Sequence, residues 1–273
     1  MLKFNLWSPK CCCFISVLTF LLLSYCCLLL KETHDATCRL EDSIKKMAIS
    51  RGIVEAKNKD VAMKRLATES TVSYILEKMP TVKSFSSKEH LLQHSLGVVD
   101  KSNPGLLCEF GVYKGYTVNF IASQTEDAVH GFDSFEGLPE DWRTDIRKGH
   151  FKMDGLPVVR ENVILHKGWF NESLPVWKEK YQGPVMFLHM DADLYSSTKT
   201  VLGLLVDRIV TGTVIQFDEY FNYPGWQNGE FRAFQEFVTS HNVKYEYIGF
   251  TARNGEQVAV KILSMPSTGH VGE

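Results

Sequence analysis

Beyond its first thirty residues the chain has only two cysteines, Cys38 and Cys108, out of seven in 273 residues. That excludes a disulfide framework as the source of its stability. It also lacks a charge of one sign: 30 Lys and Arg stand against 32 Asp and Glu, a formal net charge of −2. Nothing there points to a nucleic-acid partner. There is no internal repeat and no low-complexity tract. The GxGxxG fingerprint is missing, which argues against a nicotinamide dehydrogenase. No Cys/His pair stands near the acidic motifs described below, so zinc is not expected.

Charge is absent altogether from Cys11 to Leu30, "CCCFISVLTFLLLSYCCLLL". As a helix this run is roughly 30 Å long, the thickness of a bilayer core. A cleaved signal peptide would be shorter and followed by a small-x-small site, which does not appear. The expectation is an uncleaved signal anchor over 11–30 behind a short tail, 1–10. Lysines flank both ends, so charge bias does not set the orientation. The layout of a short tail before a first apolar segment favours a single-pass membrane protein of the Golgi or ER with a lumenal C-terminal domain. Cys38 is then placed to bridge two chains as a homodimer, and "NES" at Asn171 reads as a glycosylation sequon or as a helix cap.

Residues 31–65 are polar and lysine-rich and read as a stalk; 66–265 form the folded domain and 266–273 a tail. Helical patterns, "VSYILEKMPTVKSF" and "KEHLLQHSLGVV", open the domain. From Gly105 short apolar runs alternate with amphipathic stretches: "GLLCEFGV", "AVHGFDSF", "NVILHKGWF", "PVMFLHMDAD" and "GTVIQFDEY". Several are apolar on both faces, as strands of a covered parallel sheet are. After the fourth, Val201, Leu204, Leu205 and Ile209 share a helical face; after the fifth, Phe231, Phe234 and Val238 do. "KYEYIGF" and "EQVAVKI" close the domain as a hairpin. The expected fold is α/β, a doubly wound, mostly parallel sheet with a C-terminal antiparallel hairpin.

In such sheets ligands bind beyond the C-terminal strand ends. The first strand ends "EFGVYKG", where Gly111 and Gly115 permit close backbone approach, with Tyr113 between them. Glu109 either meets an ammonium group, fixes the loop, or is an ordinary end-of-strand carboxylate. The second ends on Asp133-Ser134, candidates for ribose hydroxyls or for a helix N-cap. The third ends on Gly168-Trp169, where an aromatic can pack on an adenine. The fourth ends on Asp191 and Asp193, and the fifth on Asp218-Glu219. Strands four and five should be neighbours, which gathers four carboxylates whose repulsion a divalent cation would relieve.

"EFGVYKG", "GFDSFEGLPEDW", "MDADLYSST" and "QFDEYFNYPG" together resemble the macrocin O-methyltransferase family, over about Thr71 to Leu263. The resemblance implies a Rossmann-like class I methyltransferase fold using S-adenosyl-L-methionine and Mg²⁺ (or Mn²⁺). It implies that Glu109, Gly111, Gly115, Asp133 and Ser134 hold the cofactor, with Tyr113, Gly168 and Trp169 beside them. Asp191, Asp218 and Glu219 would hold the metal. Asp193, Glu136 and His150 are candidate bases for the acceptor proton, and His189 is expected as a buried core residue. The implied acceptor is a sugar hydroxyl, of a glycan or glycoconjugate in the secretory lumen. The alternative is a small molecule, catechol-like or lipid-linked, methylated by a membrane-anchored enzyme facing the cytosol.

Overall fold

The computed structural model describes residues 9–252 and 255–265, and the side chains within them except those of residues 9–27, 45 and 48–57. The chain forms two units, residues 1–62 and 63–273. In the first unit every described side chain is exposed, Leu28, Leu30, Leu40 and Met47 included. Among the described residues no helix is long and apolar enough to cross a membrane. This overturns the anchor expected over 11–30, and the Golgi or ER placement falls with it. The helix carrying that run, α1, extends over 70 residues from Pro9 to Lys78, and charged side chains recur along it from Lys31 onward. Cys11, Cys12, Cys13, Cys26 and Cys27 have side chains outside the described residues.

The second unit is an eight-stranded sheet with helices on its faces. After α1 come β1 (Ser84–Phe85), α2 (Lys88–Val98), β2 (Leu106–Phe110), α3 (Tyr116–Ser123), β3 (Val129–Asp133) and β4 (Val163–Lys167). They are followed by α4 (Phe170–Lys180), β5 (Val185–Met190), α5 (Tyr195–Leu204), β6 (Ile209–Phe217), α6 (Glu230–Ser240), β7 (Lys244–Thr251) and β8 (Val258–Ser264). The strand order is β1-β7-β8-β6-β5-β2-β3-β4. Among these strands β8 alone runs against the others. The doubly wound sheet and terminal hairpin thus match the expectation. Ile209 does not continue α5 but opens β6, and the two-residue β1 carries too little pattern to be seen in the sequence.

β5 lies inside the sheet and is buried at all six positions, which is why it reads as an unbroken apolar run. Chain order reverses between β2 and β5: β3 and β4 lie to one side, β5 and β6 to the other. A crevice opens at such a switch point, beyond the C-terminal strand ends. At this point β2 and β5 touch closely. A Cβ on Gly111 (φ +94°) would stand 1.7 Å from the carbonyl oxygen of Asp191.

On the opposite side, β3 and β4 carry a histidine pair. His130 Nδ1 and His166 Nε2 are 3.0 Å apart, packed among Phe132, Trp177 and Tyr181. Burial, with each other's charge and Lys180 adding to it, pushes His130 down to about 4; burial and Lys180 do the same to His166. Both rings are therefore neutral near pH 7. A folded-state value below the ordinary 6.5 means that the unfolded chain takes up protons first as pH falls. The pair's stabilisation is complete above about 6.5 and is lost as pH falls through about 4. Melting temperatures between pH 7.5 and 4 should fall more steeply for the native chain than for a His130→Asn/His166→Asn variant. Parallel curves would mean that the pair is not the source of the slope.

Candidate active site

A cleft of about 490 Å³ opens over the C-terminal ends of β2 to β6. One wall is the turn from β2 into α3. Asp133 Oδ2 accepts the backbone N–H groups of Val112 (2.9 Å) and Tyr113 (2.8 Å), and Oδ1 accepts that of Phe135 (2.7 Å). This one carboxylate ties the end of β3 to the glycine turn and holds Tyr113 at φ +47°. Gly115, at φ +81°, begins α3 without a side-chain cap. Ser134 accepts from Glu136 N at 3.1 Å and shapes the next turn. Gly168 (φ +144°) donates to Asp133 O, and the half-exposed Trp169 stands beside it. Gly111, Tyr113, Asp133, Ser134, Gly168 and Trp169 all line the cleft.

Glu109 does not. Its side chain is fully buried, and its Oε1 lies 3.0 Å from His189 Nδ1. The register decides this: Glu109 pairs with His189 across β2 and β5, inside the sheet. The expected contact between Glu109 and a cofactor is corrected accordingly. His189 is the buried strand residue expected, but its other nitrogen is 3.7 Å from Asp218 Oδ1. Burial opposes its charge; Asp218 and Glu109 override that and raise it to about 10.

Opposite the glycine turn lie the acids. Ligand atoms of Asp191, Asp193 and Glu219 fall within 4.8 Å of one another, and so do those of His189, Asp191 and Asp218. Asp191 belongs to both sets. Asp193 sits at φ +61° in a three-residue turn closed by Leu194 N to Ala192 O at 2.6 Å, a strained conformation of the kind that collects at functional sites. Burial, then Asp218 and other acids, drive Asp191 and Glu219 well above the usual carboxylate range. Burial is also the first cause for Asp193, which rises to about 7 although Arg143 opposes the shift. Asp218 goes the other way: burial is outweighed by His189 and Lys88, whose Nζ is 3.6 Å from Asp218 Oδ2. Asp218 Oδ1 and Glu219 Oε2 are buried with no hydrogen-bond partner among the described residues. A crowded, all-oxygen set with unspent lone pairs fits a hard divalent cation.

Of the three candidate bases, Asp193 alone lines the cleft. Glu136 points to solvent and pairs with Lys152 at 3.1 Å. His150 is exposed and packs on Phe151. Both leave the chemistry because the loop after β3 turns outward at Glu136 and at His150. The same loop returns Trp142 to the cleft. Arg143 lies against the rings of Trp142 and Tyr223 and pairs with Glu256, pinning the loop to the hairpin. Asn171, the sequon residue, lies in the first turn of α4 and lines the cleft. Lys88 belongs to no motif, since an isolated lysine opening a helix gives no periodic or spacing signal; Trp142 closes the run "GFDSFEGLPEDW", but a tryptophan in a long loop gives no sign of which way it faces.

A family model described as Macrocin-O-methyltransferase (TylF) matches residues 87–249. The 8-demethyl-8-(2,3-dimethoxy-alpha-L-rhamnosyl)-tetracenomycin-C 4'-O-methyltransferase of Streptomyces olivaceus is 28% identical over 144 residues, 43% of this chain and 53% of that protein. The chain thus spans about half the length of this curated relative. The calicheamicin methyltransferase CalS11 matches at a TM-score of 0.53 and 20% identity, over 76% of this chain and 92% of its own. The O-methyltransferase NovP matches at 0.47 and 23%, over 64% and 78%. The likeness to CalS11 is one of fold.

Asp133→Ala would leave two N–H groups of the glycine turn without an acceptor, a loss of about 1–3 kcal/mol. A cofactor lying on that turn should then bind about ten- to a hundredfold more weakly. Calorimetric titration with S-adenosylmethionine reads this directly, and an unchanged dissociation constant would count against the role of Asp133.

Proposed function

Because the chain belongs to the macrocin O-methyltransferase family, we propose that it is an S-adenosylmethionine-dependent O-methyltransferase that requires a divalent cation and acts on a sugar hydroxyl. The observation carrying this reading is one cleft with two unlike walls: the Asp133-held glycine turn on one side and the carboxylates of Asp191, Asp193, Asp218 and Glu219 on the other. The tetracenomycin relative, named for methylation of a rhamnosyl-bearing compound, supports a sugar acceptor.

When bound, S-adenosylmethionine would supply an electrophilic methyl group, and Mg²⁺ or Mn²⁺ a Lewis acid for the acceptor oxygen. The turn from Gly111 to Gly115 would carry the cofactor. Asp133 keeps one lone pair on Oδ1 beyond its three backbone bonds, room for a single ribose hydroxyl. Trp169 offers a face for the adenine. Asp191, Asp218 and Glu219 would hold the cation, and His189 together with the ammonium of Lys88 keeps Asp218 ionised. Asp193, thrown into the cleft by its strained turn, would take the proton of the acceptor hydroxyl. Leu138 and Trp142 supply apolar surface that excludes water, which strengthens each charge interaction inside.

Transfer of a labelled methyl group to a panel of glycosides tests the reading. EDTA should abolish transfer, and Mg²⁺ or Mn²⁺ should restore it. Asp191→Asn and Asp218→Asn should lose turnover while still binding S-adenosylmethionine, and Asp193→Asn should lose about 10²- to 10⁴-fold in kcat. Transfer indifferent to EDTA would refute the metal requirement, and transfer to no glycoside would refute the sugar acceptor.

A further inference from the structure

Behind the acids lies a carboxylate that lines no part of the cleft. Glu230 opens α6, and its side chain is fully buried. Its two oxygens are divided between two chain segments. Oε1 accepts the N–H of Ala192 at 3.2 Å, in the turn after β5; Oε2 accepts the N–H of Glu219 at 3.1 Å, in the turn after β6. Thr198 of α5 adds a longer hydroxyl bond to Oε1 at 3.4 Å. Ala192 stands between Asp191 and Asp193, and Glu219 follows Asp218. The donors are therefore the backbone groups that carry the acid cluster.

A buried carboxyl group beside four others is an expensive choice for filling space: burial pushes Glu230 up to about 8 against the opposing pull of the two N–H groups. An apolar residue there would avoid that but leave both N–H groups without acceptors. The Ala192–Leu194 turn gains most from the arrangement. Its carbonyl side is closed by Leu194 N at 2.6 Å and its amide side by Glu230, so the residue at φ +61° between them is held from both ends. The start of α6 is fixed in turn by Gly229, where a Cβ would stand 2.1 Å from the Tyr223 hydroxyl.

We infer that Glu230 is a positioning residue: it sets the separation of the two acidic turns and so the arrangement in which Asp191, Asp218 and Glu219 hold a divalent cation. It touches neither cation nor acceptor and acts through backbone N–H groups. The inference rests on the metal-dependent reading above.

The test is Mn²⁺ binding to the full chain, followed by electron paramagnetic resonance, beside calorimetric binding of S-adenosylmethionine and a melting curve. Glu230→Gln has one acceptor oxygen and presents an NH₂ to the other turn's N–H, so one of the two contacts must fail. Mn²⁺ affinity should fall about ten- to a hundredfold, as for other partners that orient metal ligands, with cofactor affinity unchanged. Unchanged Mn²⁺ affinity in a folded variant overturns the inference. So does a parallel loss of both affinities, which is what a general loosening of the fold would give. If Glu230→Gln does not fold, Thr198→Val decides: it removes one donor to Oε1, and weaker Mn²⁺ binding with normal cofactor binding supports the role, whereas no change overturns it. A native chain that binds no Mn²⁺ at all overturns the metal reading itself, whatever Glu230 does.

Discussion

Repulsion among buried carboxylates is the constraint around which this site is built. Two like charges no more than 4.8 Å apart repel by at least about 3 kcal/mol at the effective dielectric of a protein interior, and Asp191 is shared by two such groups, with Asp193 and Glu219 and with Asp218. A few such pairs equal the net stability of a whole domain. The fold answers in two ways. It supplies fixed cations, Lys88 and His189, both against Asp218. It aims backbone N–H groups at Glu230. Asp191, Asp193 and Glu219, and Glu230 in spite of its two N–H groups, still lie above the usual carboxylate range, an imbalance that a divalent cation would relieve.

The two walls of the cleft differ in this respect. On the side of the glycine turn Asp133 accepts three backbone groups of the protein's own, so that turn is held without any ligand. On the acidic side compensation is incomplete: Asp218 Oδ1 and Glu219 Oε2 are buried with no hydrogen-bond partner among the described residues. Both walls follow from the sheet: parallel strands deliver their last residues to one edge, and the reversal of strand order between β2 and β5 parts the connecting loops enough to leave a crevice.

Much of this was legible in the chain itself. Strands buried on both faces announce themselves as apolar runs, and the residue types closing each run, glycine, aspartate and the acid pairs, are where the cleft is. What stayed hidden depends on direction rather than type. Glu109 looks like Asp133, but it stands one residue short of the end of β2 and pairs with His189 inside the sheet, whereas Asp133 is the last residue of β3. Glu136 and His150 sit among motif residues, but a loop's path, not its composition, decides which side chains face the ligand. Glu230 carries no signal because its partners lie 11 and 38 residues away along the chain.

The close approach at Gly111 has a consequence for how this chain can change. With no room for even a methyl group between the end of β2 and the Asp191 carbonyl, the glycine turn and the acid turn are in effect two halves of one hinge plate, riveted at a single atom's width. A substitution that shifts one shifts the other. The loop after β3 and the first turn of α4, which bring Trp142 and Asn171 to the cleft, lie outside this contact.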